Sequence, residues 1–340
     1  MTTPTLKIIP ALLLLAFFGC KTKQTILEPM TVGNPFEIPA WEYATNHFFI
    51  DTIYISSYNQ IMQSPSIVLH PEYNIKWIQV WKQWSGLANS TALPAKAFIT
   101  CPAVNSASYD SMRTLSSVFD IIDVGLFTPI DSSKYTYDPT AGTLTIFDST
   151  ITSDLSIAVS YERADGNQFG ETPSMVPNDS TQTRQPMILK LIKPHYGQLP
   201  SSIAWKLIMK NFYQIGKTQV AQSGFSLDIF TNFQNSNQSD SVLGIPLLRV
   251  LGVDKLGING SIGSDGVFDF LPGITIDKLH GEIIFPNVRP FDDGIREYFK
   301  SIGKSLPSNS QYTFPVLYDT TTYMAMYLAN SYVIRGRTVN

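Results

Sequence analysis

The sequence predicts a mainly β protein with some α-helix, an α+β fold with an antiparallel, sandwich-like first half and a mixed α/β second half. Short runs of alternating apolar and polar residues, bounded by turn residues, predict the strands. Charged residues make up only 15% of the 340-residue chain, against roughly 25% in an average soluble domain. With 44% hydrophobic residues, this composition is typical of a β-rich protein outside the cytoplasm.

Residues 40–165 form the predicted β-rich subdomain. In the segment KWIQVWK, Trp77 and Trp81 alternate with Ile78 and Val80, which indicates a strand. The turn sequence DPTAG at 138–142 separates two short alternating runs and predicts a hairpin. The predicted strands are 48–55, 76–82, 96–101, 135–137, 143–147 and 155–161.

Residues 166–186 are rich in Gly, Pro, Asn, Ser and Thr and predict a loop or linker. The rest of the chain, 187–340, is the predicted α+β module. Helical spacing predicts a helix at 203–213 and a final helix at 321–332 that carries Tyr323, Met326, Tyr327 and Asn330 on one side. Residues 332–337 equally fit the beginning of a strand. The other predicted elements are strands at 225–230 and 282–285 and a short helix at 245–250.

The head of the chain, 1–19, reads as a signal peptide. Lys7 precedes an uncharged apolar run that ends at Gly19, and this run is shorter than the roughly 20 residues of a membrane-spanning helix. Gly19-Cys20 resembles the lipobox of bacterial lipoproteins, in which the cysteine thiol is acylated. An ordinary signal peptide that happens to contain a cysteine is the alternative. Residues 20–39, with three prolines, are the predicted tether.

These features predict a protein of the cell envelope, held at the outer membrane by a lipid on Cys20. Lys21 follows the cysteine instead of the Asp that retains many lipoproteins at the inner membrane, and the periplasmic and surface faces both stay open. The formal charge is −3 and no basic patch stands out, so nucleic acid is not an expected partner. Cys101, among apolar neighbours, is expected to be a small core residue.

No motif in the sequence indicates an enzyme. The four histidines are far apart and none belongs to a zinc-binding or catalytic pattern. We therefore expect a non-enzymatic protein without a cofactor.

Two features suggest binding sites. Trp77, Trp81 and Trp84 are close in sequence, and Trp81 and Trp84 would suit an aromatic platform for a sugar or peptide; packing within the core is the alternative. The stretch 251–270 is rich in glycine and side-chain oxygen, which suits a calcium loop. A turn in which Asp side chains cap backbone amides is the default there. Its candidate ligands are Asp254, Asn259, Asp265 and Asp269.

An ordered series of segments follows in the second half, among them WKLIMKNFYQIG at 205–216, DGVFDF at 265–270 and GEIIFP at 281–286. This series resembles the N-terminal soluble module of the SprA/Sov family, giant outer-membrane proteins of type IX secretion and gliding motility. The resemblance covers roughly 40–337 and is strongest over 200–320. The residues that carry it are Trp205, Asn211, Gly216, Asp265, Gly266, Phe268, Asp269, Gly281, Phe285, Pro286, Pro290, Phe291, Tyr318 and Asp319.

The resemblance implies an envelope protein that acts through protein–protein contacts with secretion or gliding machinery. Family members are many times longer, and their membrane-embedded part is not carried over. The sequence fits two interpretations: a free-standing copy of the module, or the first piece of a split or truncated gene. A glycan- or peptide-binding lipoprotein of the surface or periplasm is the alternative function.

Overall fold

A computed structural model describes residues 33–64, 69–86, 91–119, 121–176, 185–195, 199–233, 237–327 and 331–339. The predicted fold class is confirmed, because strands predominate over short helices. The strands in chain order are β1 (Asn34–Pro39), β2 (His47–Phe49), β3 (Ile75–Gln83), β4 (Leu93–Phe98), β5 (Ile122–Pro129), β6 (Tyr135–Asp138), β7 (Thr143–Ile146), β8 (Ile157–Arg163), β9 (Gln168–Phe169), β10 (Met187–Lys193), β11 (Phe212–Gln214), β12 (Ser226–Asn232), β13 (Ser241–Val242), β14 (Ile245–Pro246), β15 (Ile276–Asp277), β16 (Glu282–Ile284) and β17 (Ser331–Thr338).

The helices are short. They are α1 (Ile55–Gln63), α2 (Ile203–Leu207), α3 (Leu247–Val250), α4 (Ile295–Ser301), α5 (Val316–Asp319) and α6 (Thr322–Met326). Single turns of 3₁₀-helix cover Thr52–Tyr54, Pro71–Tyr73, Asp110–Thr114 and Ser132–Lys134, and a π-helical turn covers Pro290–Gly294.

The larger sheet has the order β10-β4-β5-β3-β8-β9, and β10 also pairs with β8. Five of its strands therefore form a closed cycle of pairings. All pairings are antiparallel except that between β4 and β10. A smaller sheet, β2-β7-β6, accompanies it. The apolar side chains of these elements form the first core, which runs from Phe48 to Met209 and contains Trp81 and Tyr161.

The predicted hairpin at 135–147 is confirmed as β6 and β7. The Asp138 carboxylate accepts hydrogen bonds from the amides of Thr140 (2.8 Å) and Ala141 (2.9 Å). Gly142 has a φ of +62°, a conformation that glycine adopts without steric cost. The local sequence thus determines this turn.

The second core extends over Ile38–Tyr43 and residues 213–334. Two small sheets, β1-β17-β12 and β11-β16-β15, lie around it. Its centre is aromatic: the rings of Phe291 and Tyr332 stack with centroids 4.9 Å apart, and Tyr213 meets Phe285 edge-on at 5.5 Å. Such pairs add to the stabilisation from burial alone.

The predicted division of the chain is wrong at two strands. β10, expected in the module 187–340, pairs with β4 and β8 of the first half. β1, expected in the tether 20–39, pairs along its whole length with β17. Both errors have one cause, since partners distant in sequence supply the hydrogen bonds that determine where a strand belongs. The predicted loop 166–186 also contains β9 and the buried Glu171.

Three predicted elements change type along their length. The strand expected at 48–55 ends at Phe49, because Asp51 caps the helical turn that leads into α1. The helix expected at 203–213 ends at Leu207 and is followed by β11, which pairs with β16. The helix expected at 321–332 ends at Met326, and Ser331 begins β17, so the alternative of a C-terminal strand is correct.

The two cores meet at a polar seam. The His47 ring stacks on Phe212 at 3.8 Å, and its Nε2 atom lies 3.1 Å from a carboxylate oxygen of Glu282. Nearby, the Asn211 side-chain amide donates to the Tyr58 hydroxyl (3.0 Å). These contacts join residues about 150 or more positions apart in sequence, so the halves are tied by specific side chains.

Candidate functional site

Residues 254–269 form a loop that we call the isoleucine loop. The Asp254 carboxylate is buried and accepts hydrogen bonds from the amides of Asp265 and Gly266, both at 3.0 Å, and from the Ser264 hydroxyl at 2.5 Å. These bonds hold one side of the loop against its beginning.

Asp269 fixes the other end of the isoleucine loop. Its carboxylate accepts hydrogen bonds from the amides of Lys255 (2.6 Å) and Leu256 (3.1 Å). Its own amide donates to the carbonyl of Val253 at 2.8 Å. The loop is thus fixed at its base by two carboxylates that satisfy main-chain amides.

The tip of the isoleucine loop presents two apolar side chains to solvent. Leu256 and Ile262 form a β-bridge, and the amide of Gly257 donates to the carbonyl of Ser261 at 2.8 Å. Ile258 is 89% exposed and Ile262 97% exposed. Both side chains therefore present apolar surface that a partner protein would bury.

A cleft of about 460 Å³ lies beside the loop. Its lining combines the apolar Ile262 with Arg249, Lys255 and Glu297, while the Tyr298 ring lies on the α4 side. The Glu297 carboxylate accepts a hydrogen bond from the Asn287 amide (2.8 Å), but burial and the nearby Asp293 raise its pKa above the usual range. The loop and cleft together offer an apolar tip next to a surface of mixed charge.

The predicted calcium ligands come together only in part. Asp254 and Asp269 lie at the base of the loop with their oxygens hydrogen-bonded to amides, whereas Asn259 and Asp265 are exposed. No group of three or more His, Cys, Asp or Glu side chains arranged to hold a metal ion is found in the described part of the chain. The default interpretation, Asp side chains that cap backbone amides, accounts for this geometry; calcium stays a prediction.

The residues that carry the family resemblance surround the second core. The Trp205 indole donates to the Tyr318 carbonyl (2.5 Å), and the Tyr318 hydroxyl accepts from the Phe291 amide (2.9 Å). The Asn211 amide donates to the Phe285 carbonyl at 2.7 Å. Their side chains therefore satisfy main-chain groups around the second core.

Most of the other residues that carry the family resemblance have positive φ angles or are buried. Gly216, Gly266 and Gly281 all have positive φ angles, and Phe268, Pro286 and Pro290 are buried. Asp319 lies at the surface, where Arg289 holds it through two hydrogen bonds of 2.9 and 3.2 Å.

Sequence reasoning missed Lys210, a lysine that is buried next to Trp205. Its Nζ atom donates to the Trp205 carbonyl at 3.2 Å and lies 4.4 Å from the Trp205 ring centroid. Burial lowers the pKa of Lys210 to about 7, with a further lowering by Arg289, and Asp319 opposes the shift. A tryptophan five residues before a lysine is too weak a sequence signal to have identified this pair.

The predicted aromatic platform is wrong at Trp81. The Trp81 side chain is 1% exposed, belongs to the first core and donates from its indole to the Ser160 hydroxyl at 3.1 Å. Trp77 is half-buried and donates to Glu162 at 2.8 Å, and Trp84 is also half-buried. Trp81 and Trp84 therefore do not present a joint aromatic face, and core packing explains Trp81.

The expected lipid attachment site, Cys20, and the signal peptide 1–19 lie outside the described residues, as does most of the tether. Cys101 is buried beside Phe98, as expected for a core residue. Burial raises the pKa of its thiol to about 12, so the thiol is chemically inert at neutral pH.

Comparison of the chain with protein-family models and with curated proteins found no match. In the part of the chain that the structure describes, no helix combines the length and apolarity required to cross a bilayer.

Proposed function

We propose that the protein is a non-enzymatic cell-envelope protein that resembles the soluble N-terminal module of the SprA/Sov translocon. It acts in type IX secretion or gliding motility through protein–protein contacts, and a lipid on Cys20 holds it at the outer membrane. The observation that carries the proposal is the isoleucine loop, with Ile258 and Ile262 almost fully exposed on a fixed base.

The physical argument rests on burial and preorganisation. Complete burial of an isoleucine side chain contributes about 1.5–3 kcal/mol, so two such residues supply a useful part of a binding energy. The hydrogen bonds to Asp254 and Asp269 order the loop before binding. A partner then gains the contact without the full entropic cost of ordering the loop.

The test is complementation of a strain that lacks the gene. We expect the deletion to reduce secretion of type IX cargo or gliding, and the wild-type gene to restore both. A double variant, Ile258→Ser with Ile262→Ser, should be present at normal level in the envelope but fail to complement. Leu199→Ser, at a leucine that is 53% exposed and lies outside the isoleucine loop, is the control and should complement fully.

Two results would count against the proposal. One is normal secretion and gliding in the deletion strain, which would contradict a role of the protein in either process. The other is full complementation by the double variant, which removes the loop as the contact surface. Membrane attachment is tested separately: Cys20→Ser should appear in the soluble envelope fraction, and continued membrane association would contradict lipidation.

A further inference from the structure

The helix α6 exposes a second apolar surface, separate in sequence from the isoleucine loop. Of its side chains only Ala325 is buried. Tyr323 is 65% exposed and Tyr327 71% exposed, and their hydroxyls lie 3.1 Å apart. Met324 and Met326 are also exposed. We call these four exposed residues the tyrosine–methionine patch.

The chemistry of the patch favours a lipid surface over water. From 320 to 334 the sequence contains no charged residue. Tyrosine has an apolar ring with a polar hydroxyl, which suits the boundary between headgroups and acyl chains. Methionine adapts its shape to an irregular, fluid neighbour. The four side chains of the patch carry no charge and so lose no ion hydration when they enter that boundary, and Asp319 just before the stretch is paired with Arg289.

The position of the patch relative to the expected anchor supports the same partner. α6 leads into β17, and β17 pairs with β1, the first strand after the tether. Pro39 pairs with Val333 near the α6 end, and Asn34 pairs with Thr338 at the other end. A six-residue strand spans about 20 Å, whereas the segment 20–33 reaches up to about 45 Å when extended. The tether is therefore long enough for the patch to reach the bilayer that holds Cys20.

We propose that the tyrosine–methionine patch lies in the headgroup region of the membrane to which the lipid on Cys20 holds the chain. This inference rests on the envelope location in the proposed function. Contact through α6 adds a second point of attachment to the lipid on Cys20 and so restricts the orientation of the body relative to the membrane.

The experiment places an environment-sensitive fluorophore at single cysteines of the full, lipidated protein on vesicles of phosphatidylethanolamine and phosphatidylglycerol. Met324→Cys carries the test label, and Tyr327→Cys is a second test position in case the first variant fails to fold. Ile262→Cys, on the isoleucine loop, is the matched control because it is at least as exposed. Cys101 is buried and does not compete for the label.

We expect the label at 324 or 327 to emit at shorter wavelength on vesicles, and to be quenched more by lipids spin-labelled near the headgroup than by lipids labelled deep in the acyl chains. The label at 262 should behave as it does in water. An unquenched label at both test positions would overturn the proposal, as would equal quenching at all three positions. Labelling of wild-type protein at Cys20 would show instead that lipidation, and with it the proposed anchor, is absent.

Discussion

The two cores of the molecule are stabilised in different ways. Around the first core, long strands such as β3, with nine residues, and β8, with seven, form extended ladders. Around the second core, β12 and β17 form a ladder of similar length, but β11 and β16 have only three residues each and β15 has two. There, side chains such as Tyr318 and Asp254 bind main-chain groups that no ladder reaches, and the Asn211 side chain binds the Phe285 carbonyl at the end of the β11–β16 ladder.

This difference determines how strongly each region depends on individual residues. A ladder tolerates many sequences, provided that apolar and polar residues alternate. A main-chain group bonded to one side chain loses its partner when that side chain changes, and a buried unpaired group costs about 1–3 kcal/mol. The second core therefore depends more strongly on individual side chains.

The sharpest test of this contrast is Gly281→Ala. Gly281 has a φ of +70°, and a Cβ at this position would lie 1.5 Å from the main-chain carbonyl oxygen of Lys217. Because the backbone must move to relieve that overlap, we expect a loss of about 4 kcal/mol in the free energy of unfolding. Denaturant unfolding followed by circular dichroism measures the change.

Gly216→Ala is the control for Gly281→Ala. Gly216 also has a positive φ, +80°, but nothing lies within 4 Å of an added Cβ. It should therefore show only the conformational strain of about 1–2 kcal/mol. Equal losses in the two variants would mean that the contact with Lys217 is unimportant for stability.

The second test concerns a polar side chain buried in the same region, Lys210→Met. Burial lowers the pKa of Lys210 to about 7 in the folded protein, from the 10.5 of an exposed lysine. Between these values the unfolded chain binds one more proton, so raising the pH stabilises the folded wild type. Below pH 7 the buried amine is protonated, and the full cost of burying its charge destabilises the folded wild type. We expect Lys210→Met to remove this cost and to increase the free energy of unfolding by about 2 kcal/mol there.

The gain from Lys210→Met should diminish as the pH rises from 7 to 9, which unfolding curves at several pH values will measure. Lys206→Met, at an exposed lysine of α2, is the matched control and should change stability little at any pH. If the stability gained by Lys210→Met is the same at every pH in this range, its cause is packing, and the role of the buried charge is contradicted.

The smallest expected effect is in the first core, for Trp81→Phe. The change removes the indole hydrogen bond to the Ser160 hydroxyl and leaves a small cavity, while the β3–β8 ladder stays intact. We expect a loss of about 1–2 kcal/mol. Trp84→Phe, at a half-buried position, should lose less than half as much free energy of unfolding in the same assay. A larger loss at Trp84 than at Trp81 would contradict this prediction.

Sequence reasoning succeeded where the determining interactions are local. The hairpin of β6 and β7 was predictable because Asp138 and Gly142 form its turn, and β3 because its residues alternate. It failed at the strand expected over 48–55, where a single capping side chain, Asp51, outweighs β propensity. At the candidate site the sequence indicated an Asp- and Gly-rich turn, but it gave no sign that Ile258 and Ile262 would be exposed.

The sequence alone therefore determined the mainly β fold class, the hairpin turn and the burial of Cys101, because composition, alternation and turn residues act over a few positions. Only the tertiary structure decided that β1 belongs with β17 and β10 with β4, since strand partners hundreds or scores of residues apart leave no local pattern. The same reason explains Trp81 and Lys210: whether a side chain is buried, and what then binds it, depends on elements that meet only in the fold.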